Sequence, residues 1–480
     1  MESAEFEFGD KCENWWLCSS GLPIELVDTP LPASVTGLNF GGFPMSEMRT
    51  VRGMRDLFGP EMRAKNYLVE TAIDVFQKFG YEPLDSPVME LWETLSAKGG
   101  EEVEAETFKF TDKGEREVGL RFDLTVPLAR IVATNPHLPK PFKRYAVGKA
   151  WRYDRPQAGR YREFEQADVD IIGAASPAAD AEVVLVALEF LRRIFGEEYL
   201  IKINNRKVLK GLTERAGVPD DLAFECFRAI DKLDKINRDG VLEELKNRGI
   251  SKESSDFLID AIALKGSGVG SLDKFRDLLT GSEIGIEGVE ELTVMAEIFD
   301  SVGVSDKIVF DMSLARGLDY YTGPVFEGRY LGKPKVGSIL GGGRYDHLIE
   351  KFGGKSTPAT GISLGIGRMI EVVLARGLPE SQIPTLDVYV APIKQPMVRY
   401  GVAIQNGLVK EGISCEVDIM NRSLKKLFAQ ADSKNAAITV IIGERDIEKG
   451  EVSVRDMTTK DTEQVKLDSA VEFIKKALKK

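Results

Sequence analysis

Cysteine and histidine are nearly missing from this chain: 480 residues carry four Cys and two His. Cys12, Cys18, Cys226 and Cys415 are scattered, and His137 and His347 lie far from each other and from any cysteine. A tetrahedral structural zinc site needs four such ligands clustered, so no zinc is expected. A disulfide framework is excluded on the same count, which points to a reducing, cytoplasmic setting. No apolar run approaches the roughly 20 residues that span a bilayer. Net positive charge is also lacking: at −12 the chain does not wrap nucleic acid with its whole surface, although a local basic face remains allowed. The first 44 residues contain no arginine and are acidic (Glu2, Glu5, Glu7, Asp10, Glu13), with Trp15 and Trp16. An organellar transit peptide is Arg-rich and acid-poor, and a secretory signal has an apolar stretch; this segment has neither. Residues 1–44 are read as a disordered extension, or as translated sequence upstream of a more natural start at Met45.

What remains is ordinary globular material, 43% hydrophobic and 29% charged, with a mean hydropathy of −0.15. Its length implies two or three domains. Met62, Tyr67, Leu68, Ala72, Val75, Phe76 and Phe79 recur at helical spacing, with Gly80 where a C-terminal cap glycine belongs. Short strand-like segments follow at Tyr81–Glu90, Thr107–Thr111, Val118–Asp123, Lys143–Tyr153 and Glu163–Ile172. A helix is expected over Ala178–Phe195 and a strand over Tyr199–Ile203. Irregularly interspersed helices and consecutive short strands imply an antiparallel α+β sheet. Residues 45–216 and 304–380 are read as two parts of one such domain, interrupted by a helical insertion over 217–303. Strand signals return at Lys307–Asp311, Gly323–Tyr330 and Val336–Leu340, and a helix follows from Gly367 to Ala375. Past a linker holding Gly377, Pro379 and Pro384, residues 385–480 alternate strand and helix, which predicts a small α/β domain with a mostly parallel sheet.

Two glycine signals mislead. Gly354-Lys355-Ser356 resembles the end of a phosphate-binding loop, but Ile349 stands where its first glycine belongs; Gly365-Ile366-Gly367 starts a dinucleotide fingerprint that Ile370 breaks. Arg152-Tyr153-Asp154-Arg155-Pro156-Gln157, running on to Gly159-Arg160-Tyr161-Arg162-Glu163-Phe164-Glu165-Gln166, is more informative. Four guanidiniums in one hairpin repel one another unless an anion sits among them, and the planar arginine fork suits phosphate. A solvated charged hairpin is the equal alternative. Ala315-Arg316-Gly317-Leu318-Asp319-Tyr320-Tyr321-Thr322-Gly323 and Gly341-Gly342-Gly343-Arg344-Tyr345-Asp346 combine backbone able to approach a ligand with directed Tyr and Asp hydrogen bonds; each alone also fits a turn beside core aromatics. Gly361-Ile362-Ser363-Leu364-Gly365-Ile366-Gly367-Arg368 delivers Arg368 to the start of a helix, toward phosphate or a surface carboxylate.

In this order, from about Met48 to the C-terminus, these segments resemble the histidyl-tRNA synthetase family, a branch of the class II aminoacyl-tRNA synthetases. Phe79–Glu90 is similar to motif 1, which builds the dimer interface, the Arg152 hairpin to motif 2 and Gly361–Arg368 to motif 3. The Arg316–Tyr321 and Gly341–Asp346 segments resemble the two family-specific histidine motifs. The resemblance implies a six-to-seven-stranded antiparallel catalytic sheet, a C-terminal anticodon-binding domain, a homodimer, and ATP with Mg²⁺, L-histidine and tRNA(His) as substrates. It places Arg152 on the ATP α-phosphate with adenine stacked on Phe164, Arg316 opposite Arg152, and Arg368 at the γ-phosphate. It gives Asp123, Thr125 and Gln166 to the α-ammonium of histidine. Asp170 and Tyr321 fall to the imidazole, with Tyr320 and Tyr345 completing the pocket. Where motif 2 usually has Arg-x-Glu, this chain has Arg152-Tyr153-Asp154, so Asp154 reaches adenine only through water.

From Leu386 to Lys480 there are 12 Lys and 4 Arg against 7 Asp and 7 Glu, a balance of +2 in an acidic chain. That shift suits an RNA-facing module or a solvated surface alike; Arg422, Lys425 and Lys426 are the candidate RNA contacts. The rival reading is a non-catalytic regulatory paralogue of ATP phosphoribosyltransferase. Such paralogues typically lack the C-terminal domain and lose the arginines, whereas both are present here.

Overall fold

The computed structural model describes residues 49–97, 101–156, 159–230, 233–315, 320–383 and 385–479. The 1–44 extension therefore lies outside the described residues. Nine strands form the main sheet: β1 (Glu82–Pro83), β5 (Phe142–Trp151), β6 (Glu163–Ile172), β7 (Tyr199–Asn205), β8 (Lys265–Gly266), β9 (Ile308–Asp311), β10 (Pro324–Tyr330), β11 (Leu340–Arg344) and β12 (Ala359–Gly365). Between β1 and β5 the chain makes a small antiparallel sheet from β2 (Met89–Leu91), β3 (Lys109–Thr111) and β4 (Glu117–Leu120).

The main sheet runs β1-β5-β6-β12-β11-β10-β7-β9-β8. Its six central strands, β5 to β7 in that order, pair antiparallel. At the two ends β1 joins β5, and β9 joins β7, in parallel. The expected antiparallel sheet of six or seven strands is thus corrected to a mixed sheet of nine. The reason lies in the edges: β1 and β8 have two residues each, too short to show alternation in sequence. The continuous strand expected over Tyr81–Glu90 is divided between β1 and β2. The glycine run Gly341–Gly343 is itself strand β11, although glycine is disfavoured in strands.

Alternation along the central strands gives the sheet two unlike faces. One carries Tyr145, Ala167, Val169, Ile171, Ile201, Ile203, Phe326, Ile362 and Leu364, all in one apolar core. Helices Pro60–Lys78 and Pro177–Phe195 cover it with Leu68, Val75, Phe76, Val184, Phe190 and Leu191. The first helix stops as expected: Gly80 takes φ 78°, and the Gly80 and Tyr81 amides donate to the Gln77 and Phe76 carbonyls. Ser176 caps the second helix by accepting from the Ala178 amide, and Pro177 occupies its first turn. The helices between β7 and β9 bury Leu209, Phe227, Leu258, Leu292 and Phe299 in this same core.

The C-terminal sheet comprises β13 (Val388–Pro392), β14 (Cys415–Val417), β15 (Ile438–Ile442), β16 (Glu451–Asp456) and β17 (Thr462–Lys466), in the order β14-β13-β15-β16-β17. Its first two pairings are parallel and its last two antiparallel. The β16–β17 hairpin escapes the sequence reading because its outer strand has a single buried residue, Val465.

Candidate active site

The second face of the main sheet is polar and glycine-lined. Strand β6 directs Gln166, Asp168 and Asp170 to it. Opposite them stand Gly148, Ala146 and Arg144 on β5, and Gly365, Ser363 and Gly361 on β12. Gly341 and Gly343 of β11 continue the same face.

Asp170 is the anchor of this face. The wholly buried Arg144 meets its Oδ2 at 2.6 Å, and the Tyr345 hydroxyl donates to its Oδ1. Burial is the largest influence on its carboxyl and raises it, while Arg144 and Tyr345 pull it back down. The glycines make this possible. A Cβ on Gly361 would overlap the Asp170 carboxylate, and one on Gly343 would lie 3.0 Å from the Tyr321 ring. Their first task is therefore to leave room for the protein's own Asp170 and Tyr321. Tyr320 and Tyr321 pack with ring centroids 4.3 Å apart, and Tyr345 lies 6.4 Å from Tyr320. The Tyr320 hydroxyl is raised above its ordinary value, first by burial and then by Asp123. Its other charged neighbours are Arg152 and Asp168, so these residues converge on one point.

Asp123 is buried and its Oδ1 accepts from the Thr125 and Val126 amides at 3.1 and 2.9 Å, capping helix Thr125–Thr134. The cap fixes Asp123 and Thr125 relative to each other. Gln166 donates to Ser363 Oγ at 2.6 Å. Arg152 donates to the Phe122 carbonyl at 3.0 Å, with its guanidinium 5.3 Å from the Phe164 ring centre. That places Arg152 and Phe164 together at the mouth of the hairpin.

The repulsion inferred among the hairpin arginines is largely answered by internal partners. Arg160 pairs with Asp154 at 2.7 Å. Arg162 lies 3.8 Å above the Tyr153 ring and donates to the Asp154 carbonyl. Asp154 thus serves Arg160 in this structure. Arg368, in the first turn of helix Ile366–Arg376, donates to the Ser338 carbonyl, and Gly159 of the hairpin passes over its side chain. Arg316 lies outside the described residues. The flanks of its segment are anchored: Asn204 donates to the Met312 and Leu314 carbonyls at 3.1 and 3.0 Å, and the Thr322 amide to the Arg344 carbonyl at 2.8 Å.

Arg344 is structural. It binds buried Asp180 at 2.6 Å through Nη2, the Ala174 and Ser176 carbonyls, and Asp346. Asp180 is raised to about 6 by burial, against the pull of Arg344. Sequence reasoning passed over Arg121, Arg144, Asp168 and Ser363. Arg121 is also buried, donating to the Lys149 and Ser86 carbonyls at 2.9 and 2.6 Å. The signal for Asp168 was available: Gln166, Asp168 and Asp170 alternate with Ala167, Val169 and Ile171 in a single strand.

In the C-terminal domain Arg422 is paired with Asp418, which also accepts from the Tyr389 hydroxyl at 2.6 Å. Lys425 and Lys426 are exposed at the start of helix Leu424–Ser433, near the exposed Ile419 and Met420.

A helix-backed sheet with six antiparallel central strands, an arginine hairpin and a polar, glycine-lined open face defines the α+β fold of a class II aminoacyl-tRNA synthetase. The family model for histidyl-tRNA synthetase matches residues 53–369, and that for the anticodon binding domain matches residues 387–477. The chain belongs to the histidyl-tRNA synthetase family. It is 39% identical over 431 residues to the histidine-tRNA ligase of Pyrococcus furiosus, covering 89% of this chain and 99% of the relative. The crystal structure of histidyl-tRNA synthetase from a Nostoc species superposes with a TM-score of 0.75 at 31% identity, covering 89% of this chain and 99% of that one. A Bacillus halodurans structure described as an ATP phosphoribosyltransferase regulatory subunit/histidyl-tRNA synthetase has a TM-score of 0.69 at 23% identity, covering 84% of this chain and 100% of its own, and shares the fold alone. The catalytic role is supported, and the regulatory alternative is not.

Proposed function

We propose that this chain activates L-histidine with ATP and transfers it to the 3′ end of tRNA(His), using the residues of the polar sheet face. The observation that carries the assignment of roles is the buried Asp170–Tyr345 pair, with Gln166 on the same sheet face, Asp123 close enough to act on Asp170, and Arg152 against Phe164.

Asp170 and Tyr321 take the imidazole, with Tyr320 and Tyr345 closing the pocket. Asp170 has acceptor capacity beyond its two present partners. Buried groups left unpaired by a wrong side chain are costly, so selection against other amino acids needs no editing site. Asp123, Thr125 and Gln166 orient the α-ammonium. The histidine carboxylate oxygen then bonds to the α-phosphorus as the bond to pyrophosphate breaks. Charge grows on the equatorial oxygens, and Arg152 and Arg316 on opposite sides stabilise it without any protein nucleophile. Adenine stacks on Phe164, Arg368 holds the γ-phosphate, and Asp154 reaches adenine through water once released from Arg160. Mg²⁺ bound to ATP as part of the substrate would neutralise charge on the departing pyrophosphate. The described residues hold no cluster of three metal-binding side chains, and an ion ligated mostly by phosphate and water needs none.

The working form is a cytoplasmic homodimer. Val88, Met89, Leu91 and Phe110 are exposed on or beside the small β2–β4–β3 sheet and supply an apolar surface for the partner. The boundaries proposed are 45–216 with 304–380 for catalysis, 217–303 for the helical insertion and 385–480 for the anticodon-binding domain. The insertion is the proposed clamp for the acceptor stem, because it interrupts the catalytic domain next to the active-site motifs; with 10 basic and 19 acidic side chains in residues 217–303, its RNA contacts would be confined to local basic patches.

The test is histidine-dependent ATP–pyrophosphate exchange run against the other amino acids, with tRNA charging in parallel. Exchange with histidine alone, together with charging, is expected. A folded dimer that exchanges with no amino acid overturns the reading.

A further inference from the structure

Of the three polar side chains that β6 presents to the site, Gln166 and Asp170 have roles in the scheme above, and Asp168 has none. Asp168 is 3% exposed, and its Oδ1 has no hydrogen-bond partner among the described residues. Its cross-strand neighbours are Ala146 on β5 and Ser363 on β12. Among the described residues only Ser363 hydrogen-bonds to it, and the same hydroxyl accepts from Gln166. The charged groups around it are Arg144 and Asp170 within the sheet, and Arg121 and Asp123 from the segment before helix Thr125–Thr134. Tyr320 lies near enough to feel its charge.

Neither nearby cation hydrogen-bonds to Asp168, although Arg144 acts on it through space. Arg144 meets Asp170 and the Leu124 carbonyl through Nη2, while its buried Nε and Nη1 have no hydrogen-bond partner among the described residues, and Arg121 donates to the Lys149 carbonyl and to Ser86. Three carboxylates, Asp123, Asp168 and Asp170, stand near two buried guanidiniums, Arg144 and Arg121, which leaves one negative charge in excess when all are ionised. A buried carboxylate oxygen without a hydrogen-bond partner is costly unless a ligand brings the missing donor.

We propose that Asp168 is a second substrate carboxylate, accepting from the α-ammonium group of the amino acid beside Asp123. The inference rests on the histidine-activation reading and adds a residue to its ammonium subsite. It has a consequence for pH. Burial holds the Asp168 carboxyl up at about 7, so in the free enzyme it is largely protonated in mildly acidic solution. Binding an ammonium favours the carboxylate, so histidine binding releases a proton below about pH 7 and its affinity rises as pH approaches that value.

The experiment compares wild type with Asp168→Asn by calorimetric binding of three ligands: histidine, histidinol and 3-(imidazol-4-yl)propionate. Histidinol keeps the ammonium and lacks the carboxylate; the propionate keeps the imidazole and carboxylate and lacks the ammonium. Asp168→Asn is expected to weaken histidine and histidinol roughly 10- to 100-fold at pH 8, the range of a charge-assisted hydrogen bond, and to leave the propionate unchanged. An equal loss for all three ligands, or no loss for any, overturns the proposal. Should the variant fail to fold, wild type decides alone. At pH 6.5, in buffers of different ionisation enthalpy and after subtracting the ionisation of each free ligand's own imidazole (the propionate's is the more basic, because it lacks the ammonium), histidine is expected to release more protons than the propionate. Equal release by both ligands overturns it. Histidine-dependent pyrophosphate exchange by wild type, measured on the same preparation, tests the underlying activity separately.

Discussion

Gly361 stands directly across from Asp170 in the β12–β6 pairing, in the space that a side chain at 361 would take from the Asp170 carboxylate. Asp170 cannot yield easily, because Arg144 and Tyr345 hold it from two sides. Gly361→Ala is therefore expected to raise the histidine KM strongly, about 100-fold if Asp170 loses its alignment, while the ATP KM changes little. Steady-state pyrophosphate exchange with each substrate varied in turn checks this. Equal increases for both substrates would mean a general disturbance of the sheet.

Arg152 and Arg316 are assigned to charge that exists only in the transition state. Alanine at either position is expected to lower the adenylation rate by about 10²–10³-fold while histidine and ATP still bind. Single-turnover adenylate formation with saturating substrates separates the rate from binding. Near-normal activation by Arg316→Ala would remove it from the mechanism.

Asp168 also ties stability to pH. Its carboxyl is higher in the folded chain, at about 7, than its ordinary 3.8, so the native state favours the protonated form. The resulting stability is present below about pH 4 and is lost as pH rises through about 7, up to about 4 kcal/mol in all. Asp180, raised to about 6, acts in the same direction. Urea midpoints are expected to fall between pH 5 and pH 8, and to fall less in Asp168→Asn. Parallel curves for the two proteins would refute this account.

Arg344 and Asp180 form a buried pair 164 residues apart in sequence. Asp180→Ala leaves a guanidinium buried among carbonyls, with Asp346 as its remaining acid, and is expected to cost about 3–5 kcal/mol. Denaturant titration measures the loss. A cost below about 1 kcal/mol would mean that Asp346 compensates for Asp180.

Reversing Lys425 and Lys426 to Glu is expected to weaken tRNA charging and flatten its salt dependence by about two contacts, leaving pyrophosphate exchange intact. Arg422 is the poorer target, since it is tied to Asp418. Unchanged charging at physiological salt would move the RNA contacts elsewhere on the domain.

Much of this enzyme was legible in its sequence, because the signals concerned are local. Helix Pro60–Lys78 follows from residues three and four apart and a glycine at its end, and the polar face of β6 follows from alternation within ten residues. The order of the glycine- and arginine-bearing segments was enough to place the chain in its family. What only the tertiary structure decided is which partner each charged group meets. Arg160 meets Asp154 and Arg344 meets Asp180, while Asp168 is left with a buried oxygen that has no hydrogen-bond partner among the described residues. The two-residue strands that turn an antiparallel sheet into a mixed one are decided there as well. Periodicity tells which face a residue is on, because backbone geometry repeats every few residues. It says nothing of the residue across the sheet, because pairing between distant segments depends on how the whole chain closes its core.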